Sequence, residues 1–232
     1  MNSHQLSRRL TAVASFVPKG SVLADIGSDH AYLPCYLVQK KIAVSAIAGE
    51  VAEGPFQSAL NQVEEDGLKH LINVRKGSGL SVLEIGEADV ITIAGMGGPL
   101  ISQILEEGKS KLAGVQRLIL QPNINAISIR DWLTQNQWKL TAEEILEEDG
   151  KVYEVLVAEP SESAIELTYT DRLLGPFLVK GNSAVFQQKW REEYKQWERI
   201  LQQLTQAEPS GMIDAKKEEL RVKMKIVKEV LR

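Results

Sequence analysis

The feature that most constrains this chain is an exchange of periodicities over its first 160 residues. Short apolar runs alternate with stretches whose apolar residues recur every three or four positions. Strand–helix units in series bury both faces of their strands by packing helices on each side of a mostly parallel sheet. Leu6, Leu10, Val13 and Val17 open the series and predict a helix over residues 4–17, closed by Pro18-Lys19-Gly20. Strands are then expected at Ser21–Ile26, Ala43–Ala48, Ile72–Lys76, Asp89–Ala94 and Gln116–Leu120. Helices are expected at Ala31–Lys40, Ala52–Asp66, Gly98–Glu107 and Ala126–Asn136. Two closing strands, Leu140–Glu148 and Lys151–Glu159, meet at Asp149-Gly150, a dipeptide suited to a hairpin turn.

Past Pro160 the texture changes. Phe186, Trp190, Tyr194, Trp197, Leu201 and Leu204 follow helical spacing, as do Ile213, Leu220, Met224, Val227 and Leu231 after Glu208-Pro209-Ser210-Gly211. The expectation is two domains, an α/β domain over residues 1–160 and a helical, coiled-coil-like hairpin over 161–232. The aromatic stripe reads as a packing seam rather than a base-stacking platform, because its period is that of helix packing.

Composition narrows the function class. The single cysteine, Cys35, excludes an internal disulfide framework and a multi-cysteine zinc site, and it reads as a small buried hydrophobe. His4, His30 and His70 are not spaced as metal ligands, so no metal is expected. No apolar run is long enough to cross a bilayer, and the N-terminus lacks a secretory pattern; a cytoplasmic protein is expected. The net charge of −4 argues against a wholly basic RNA-binding surface. Arg8, Arg9 and the basic residues of the tail, from Lys189 to Arg232, remain candidate phosphate contacts.

The chemistry-bearing segment is Ala24-Asp25-Ile26-Gly27-Ser28-Asp29-His30, in which a buried strand ends, turns on glycine and enters a helix. Such sheets bind ligands beyond the carboxyl ends of their strands. Gly27 allows close approach by a cofactor, and Ser28 or Asp29 can cap the new helix. The further glycines of a dinucleotide loop are replaced by Ser28, Asp29 and His30, which disfavours a pyrophosphate and points to a nucleoside carrying an amino-acid tail, S-adenosylmethionine. His30 sits where the positive helix end favours a neutral ring.

Glu50, beside Val51, lies 23 residues after Gly27, near the offset at which an acidic side chain holds ribose hydroxyls. Ser78 and Gly79 follow the third strand, where a loop can touch the adenine. Ala94-Gly95-Met96-Gly97-Gly98 follows the fourth and forms an open shelf for a methyl acceptor. Gln121 and Asn123 follow the fifth strand and either read a base edge or cap the next helix. These features, with the antiparallel edge hairpin, fit the seven-stranded methyltransferase variant of the Rossmann-like fold.

Leu6-Ser7-Arg8-Arg9-Leu10, Ala24–Pro34 (ADIGSDHAYLP), Gly95–Gly98 (GMGG), Gln121–Asn123 (QPN) and Gly175-Pro176, in that order, resemble the bacterial tRNA (adenine-22-N1)-methyltransferase family. The resemblance implies a class I methyltransferase domain with a C-terminal coiled-coil domain, S-adenosylmethionine as donor and N1 of a tRNA D-loop adenine as acceptor. Ser78 departs from an expected Asp on the adenine side. On this reading Asp25, Gly27, Ser28, His30, Glu50, Val51, Ser78, Gly79, Ala94 and Gly95 hold the cofactor, while Asp29, Met96, Gln121 and Asn123 serve the acceptor. The partner is tRNA, with neither membrane nor metal, and the protein is expected to be monomeric. The residues alone leave open a small-molecule methyltransferase, or a non-catalytic RNA- or partner-binding protein on the same fold.

Overall fold

The computed structural model describes residues 2–163, 166–206 and 210–232. By its internal contacts the chain falls into two compact units, Met1–Thr168 and Tyr169–Arg232.

The first unit alternates as its periodicity demands: α1 (Arg8–Ser15), β1 (Ser21–Ile26), α2 (Tyr32–Gln39), β2 (Ala43–Glu50), α3 (Glu53–Glu65), β3 (Ile72–Lys76), β4 (Val90–Gly97), α4 (Gly98–Glu107), β5 (Arg117–Ile124), α5 (Ala126–Gln135), β6 (Trp138–Glu148) and β7 (Lys151–Pro160). A single 3-10 turn, Gly79–Val82, stands between β3 and β4 where the other crossovers carry a full helix.

The seven strands form one sheet in the order β3-β2-β1-β4-β5-β7-β6. β1 to β5 are parallel, and β7 runs antiparallel to both β5 and β6. The chain winds outward from β1 to β3 and then returns to place β4 on the other side of β1. That reversal opens a crevice at the carboxyl ends of β1 and β4, the position where open α/β sheets take ligands.

Alternate residues along each central strand face opposite layers. Ala24, Ile91, Ile93, Leu118, Leu120 and Leu156 pack with Ile101, Leu105, Ile129 and Trp132 of α4 and α5. Leu23, Val90, Ile119 and Val157 pack with Val13, Leu37, Ala59 and Val63 of α1, α2 and α3. Both faces are therefore buried, which explains why these strands read as unbroken apolar runs. Arg130 of α5 is fully buried and bridges Glu143 of β6 and Glu154 of β7 at 2.5 and 2.7 Å. The ion trio spans the end of the sheet that the hairpin closes.

The boundaries differ from expectation at the site. The first helix begins at Arg8, not at residue 4, because Ser7 caps it by accepting the Leu10 amide. β2, β4 and β5 each run farther than their apolar cores, to Glu50, Gly97 and Ile124. β4 and β5 stay paired past Ala94↔Gln121 through two register shifts, so Met96 opposes Pro122 and Gly97 opposes Ile124. A bulged pair tolerates glycine and a donor-less proline that a regular ladder would exclude.

In the second unit, α6 (Tyr169–Leu174) and α7 (Pro176–Gly181) are short helices that the periodicity did not signal. α8 (Ala184–Gln206) and α9 (Gly211–Val230) are the expected pair; Glu208 and Pro209 of the break between them lie outside the described residues. Phe186 and Trp190 are buried, Trp190 lies 6.0 Å from Trp197, and Lys223 of α9 lies over Trp197. The stripe packs its aromatics against one another and against the returning helix. Lys216, Lys217, Arg221 and Lys223 pair with acidic residues of their own helix.

Candidate active site

Two adjoining cavities of about 350 and 220 Å³ lie at the β1/β4 crevice. Gly27, Glu50 and Met96 border both. The larger is also lined by Asp25, Ser28, Asp29, His30, Ala94 and Gly95, and the smaller by Val51, Ser78 and Gly79. A bigger concavity of about 700 Å³ runs along β3 and Ser45–Ile47 at the start of β2. It lies away from the strands' carboxyl ends, so topology assigns the ligand to the smaller pair.

Asp25 is 4% exposed at the end of β1. Its carboxylate accepts two hydrogen bonds of 2.6 Å, from the Thr92 hydroxyl of β4 and from the Ser28 hydroxyl of the turn. Burial pushes its pKa up to about 6; the two hydroxyls oppose that rise, and the nearby Glu50 charge adds to it. Glu50 is 6% exposed at the end of β2, and its carboxylate accepts the Asp29 amide. Gly49 receives the amides of Gly27 and Ser28 at 2.9 and 3.2 Å. The turn after β1 is thus strapped to the end of β2 by three amides.

Gly27 holds φ at +71°, and a Cβ there would fall 2.1 Å from the Met96 Cε. The Met96 side chain therefore lies against the bare Gly27 backbone, between the two cavities. Asp29 and Ala31 also adopt left-handed backbone, with φ of 56° and 54°. Neither Ser28 nor Asp29 caps α2, contrary to expectation. The N-cap is Ala31, which has no side-chain acceptor, because the Ser28 hydroxyl is spent on Asp25. Asp29 and His30 are left facing outward, their side chains 69% and 45% exposed, and the His30 ring stacks on Tyr32 at 5.1 Å.

Gln121 and Asn123 do something the sequence did not disclose. Gln121 is fully buried, and its Oε1 accepts the Gly95 amide at 3.0 Å. Asn123 donates from Nδ2 to the Gly95 carbonyl at 2.8 Å. The two side-chain amides clamp the Gly95 backbone through its N–H and its carbonyl, where φ is +81°. Nor do they cap α5, whose N-cap Asn125 makes no side-chain bond. Sequence reasoning did not place Arg9 at the crevice: it lines the larger cavity and donates from Nη1 to Gln121 Oε1. Leu10 and Tyr32 line the same cavity unforeseen. Helical spacing gave the buried face of α1 but no indication of the crevice that Arg9 enters. Among the described residues no cluster of His, Cys, Asp and Glu could hold a metal ion, and no helix is long and apolar enough to cross a membrane.

Comparison with known proteins gives this geometry a family context. The family model described as tRNA (adenine(22)-N(1))-methyltransferase matches residues 23–229. The Bacillus subtilis protein of that name is 52% identical over 100% of this chain and 99% of its own length. The crystal structure of the B. subtilis M1A22 tRNA methyltransferase superposes with a TM-score of 0.93 at 52% identity, covering 99% of this chain and 100% of the other. The Streptococcus pneumoniae protein Sp1610, solved in complex with S-adenosyl-L-methionine, gives a TM-score of 0.89 at 48% identity over 98% of this chain and 100% of the other.

Proposed function

The chain belongs to the tRNA (adenine(22)-N(1))-methyltransferase family, and from that premise we propose that it methylates N1 of adenine 22 in tRNA with S-adenosylmethionine as donor. The observation that carries this reading is the pair of buried carboxylates, Asp25 and Glu50, flanking a glycine turn at the β1/β4 crevice.

The site fits that donor. A zwitterionic nucleoside needs an elongated cleft with a polar cradle at each end, and the two cavities share Gly27 with no room there for a side chain. When bound, the cofactor supplies a methyl group made electrophilic by its sulfonium charge. Glu50 accepts the ribose hydroxyls, while Val51, Ser78 and Gly79 border the adenine. The Gly27–His30 turn takes the amino-acid end, with Asp25 holding the turn through Ser28.

The acceptor adenine is turned out of the RNA onto the Gly95–Gly98 shelf beside Met96. Gln121 and Asn123 act by fixing the Gly95 peptide, so that the shelf does not move when the base arrives. N1 of a flipped adenine offers a free lone pair, so no residue need remove a proton before attack, and the methylated ring carries the positive charge. The exposed Asp29 carboxylate stands at the cavity to stabilise that charge. The enzyme acts on tRNA in the cytoplasm as a monomer.

The test is incubation with methyl-labelled S-adenosylmethionine and an unmodified tRNA transcript. Label is expected in the RNA. Confirmed cofactor binding without transfer to RNA would overturn the reading in favour of a small-molecule acceptor or a non-catalytic protein.

A further inference from the structure

A large apolar side chain left in water forgoes the stabilisation that burial brings, yet one standing alone is ordinary on a protein surface. Ile124 differs by its place. At 70% exposed it is the most exposed large apolar side chain of the first unit among the described residues. It ends β5 at the carboxyl end of the sheet, opposite Gly97 of the shelf. Val44 and Ile85 are exposed at the other end, at the start of β2 and before β4. Val51 and Leu100 are exposed as well but belong to the smaller cavity, whereas Ile124 lines neither cavity.

The side chain stands on a fixed mount. Before it, Asn123 donates to the Gly95 carbonyl at 2.8 Å. After it, Asn125 takes left-handed backbone at φ 59° and lies against the bare Gly98. A Cβ on Gly98 would fall 2.1 Å from the Asn125 carbonyl oxygen and 3.1 Å from that of Ile124. The Ile124 Cγ1 and the Pro99 Cδ each lie 3.8 Å from where a Cβ on Gly97 would stand. A β-branched side chain is also stiff at χ1, so little freedom is left to lose on contact. An apolar group held at the lip of a base-receiving shelf, but outside its cavities, meets the RNA that the base has left rather than the base itself. Removing one base from a stack opens a gap with apolar faces, and proteins that unstack nucleic acid enter such gaps with Phe, Leu, Ile or Met.

We propose that Ile124 is a wedge, which enters the gap in the RNA stack as adenine 22 leaves it and so holds the base out on the shelf. This rests on the reading that the chain methylates adenine 22 of tRNA. It gives the acceptor side a positioning residue that touches neither the cofactor nor the reacting nitrogen. It also accounts for an isoleucine at a strand end that faces water.

The test is single-turnover methylation of two tRNA transcripts by the full-length protein and its Ile124→Ala and Ile124→Leu variants, at saturating enzyme and S-adenosylmethionine. Melting curves confirm folding, and calorimetry confirms that cofactor affinity is unchanged. In one transcript adenine 22 has a pairing partner; in the other that partner is replaced so that adenine 22 stands unpaired. Ile124→Ala is expected to slow the paired transcript by roughly ten- to a hundredfold, the order of unstacking one base. It should slow the unpaired transcript by no more than about threefold, because a mismatched base leaves the stack at least cost. Ile124→Leu, which keeps the volume, should retain most of the rate on both. Equal slowing of both transcripts would overturn the assignment in favour of a contact with the docked base. Unchanged rates would overturn it outright, and so would weaker tRNA binding with a wild-type rate at saturation. Failure of the wild-type protein to methylate either transcript, with S-adenosylmethionine bound, would instead strike at the tRNA reading itself.

Discussion

Asp25 should make the protein less stable than it could be, and by an amount that depends on pH. Burial raises its pKa from 3.8 to about 6 even though two hydroxyls donate to it. A carboxyl whose folded pKa lies above its unfolded one contributes stability at low pH, where it is protonated in both states. That contribution declines as pH rises from the unfolded pKa toward the folded one. Between pH 4.5 and 8 the linkage amounts to about 2 kcal/mol lost from the wild type. Asp25→Asn has the same shape and no charge, and the Ser28 hydroxyl can turn to accept from its amide. The variant's stability relative to wild type should therefore rise by about 2 kcal/mol over that range, or roughly 4–8 °C in Tm for a chain of this size. Urea midpoints of both proteins at pH 4.5, 6 and 8 would measure it. Cofactor affinity should fall in the same variant, since the turn loses its charged anchor. A stability difference that is flat with pH, or that moves toward the wild type as pH rises, would refute the reasoning.

Four further substitutions, one of them combined with another, probe the frame. Gly98→Ala should cost about 3 kcal/mol, the upper end of overpacking, because its Cβ would fall 2.1 Å from the Asn125 carbonyl oxygen, a backbone atom that cannot move aside; thermal melts would show it. Gly27→Ala should abolish measurable cofactor binding in calorimetry. Adding Met96→Ala should relieve the contact with Cε but not the strain at φ +71°, so recovery should be partial. Arg130→Ala should lower stability by about 3–5 kcal/mol by removing the guanidinium between two buried carboxylates; a wild-type-like denaturation midpoint would show that the trio contributes little.

Much of this architecture was legible because hydrophobic period carries it. The strand cores from Ser21–Ile26 to Lys151–Glu159, and the hairpin at Asp149-Gly150, stand where alternation placed them. The site's strand ends were less legible. Gly97 and Pro122 look like loop residues, yet β4 and β5 keep them paired through two register shifts, the first of which skips Gly95. The late start of α2 follows from left-handed Asp29 and Ala31, and alanine gives no hint of that conformation. Gln121 and Asn123 could be located but not understood, because their partner is a backbone peptide of another strand. Arg9 reaches the cavity only through the docking of α1 on Glu148, a contact 139 residues distant in sequence that no local pattern encodes.

The central claim is the chemistry and its target. The most direct measurement digests tRNA transcripts, incubated with the protein and S-adenosylmethionine, to nucleosides and quantifies 1-methyladenosine by mass spectrometry. One transcript carries adenine at position 22 and a second carries guanine there. The account predicts about one 1-methyladenosine per molecule in the first and none in the second. Equal methylation of both, or methylation at another atom of the base, would contradict it.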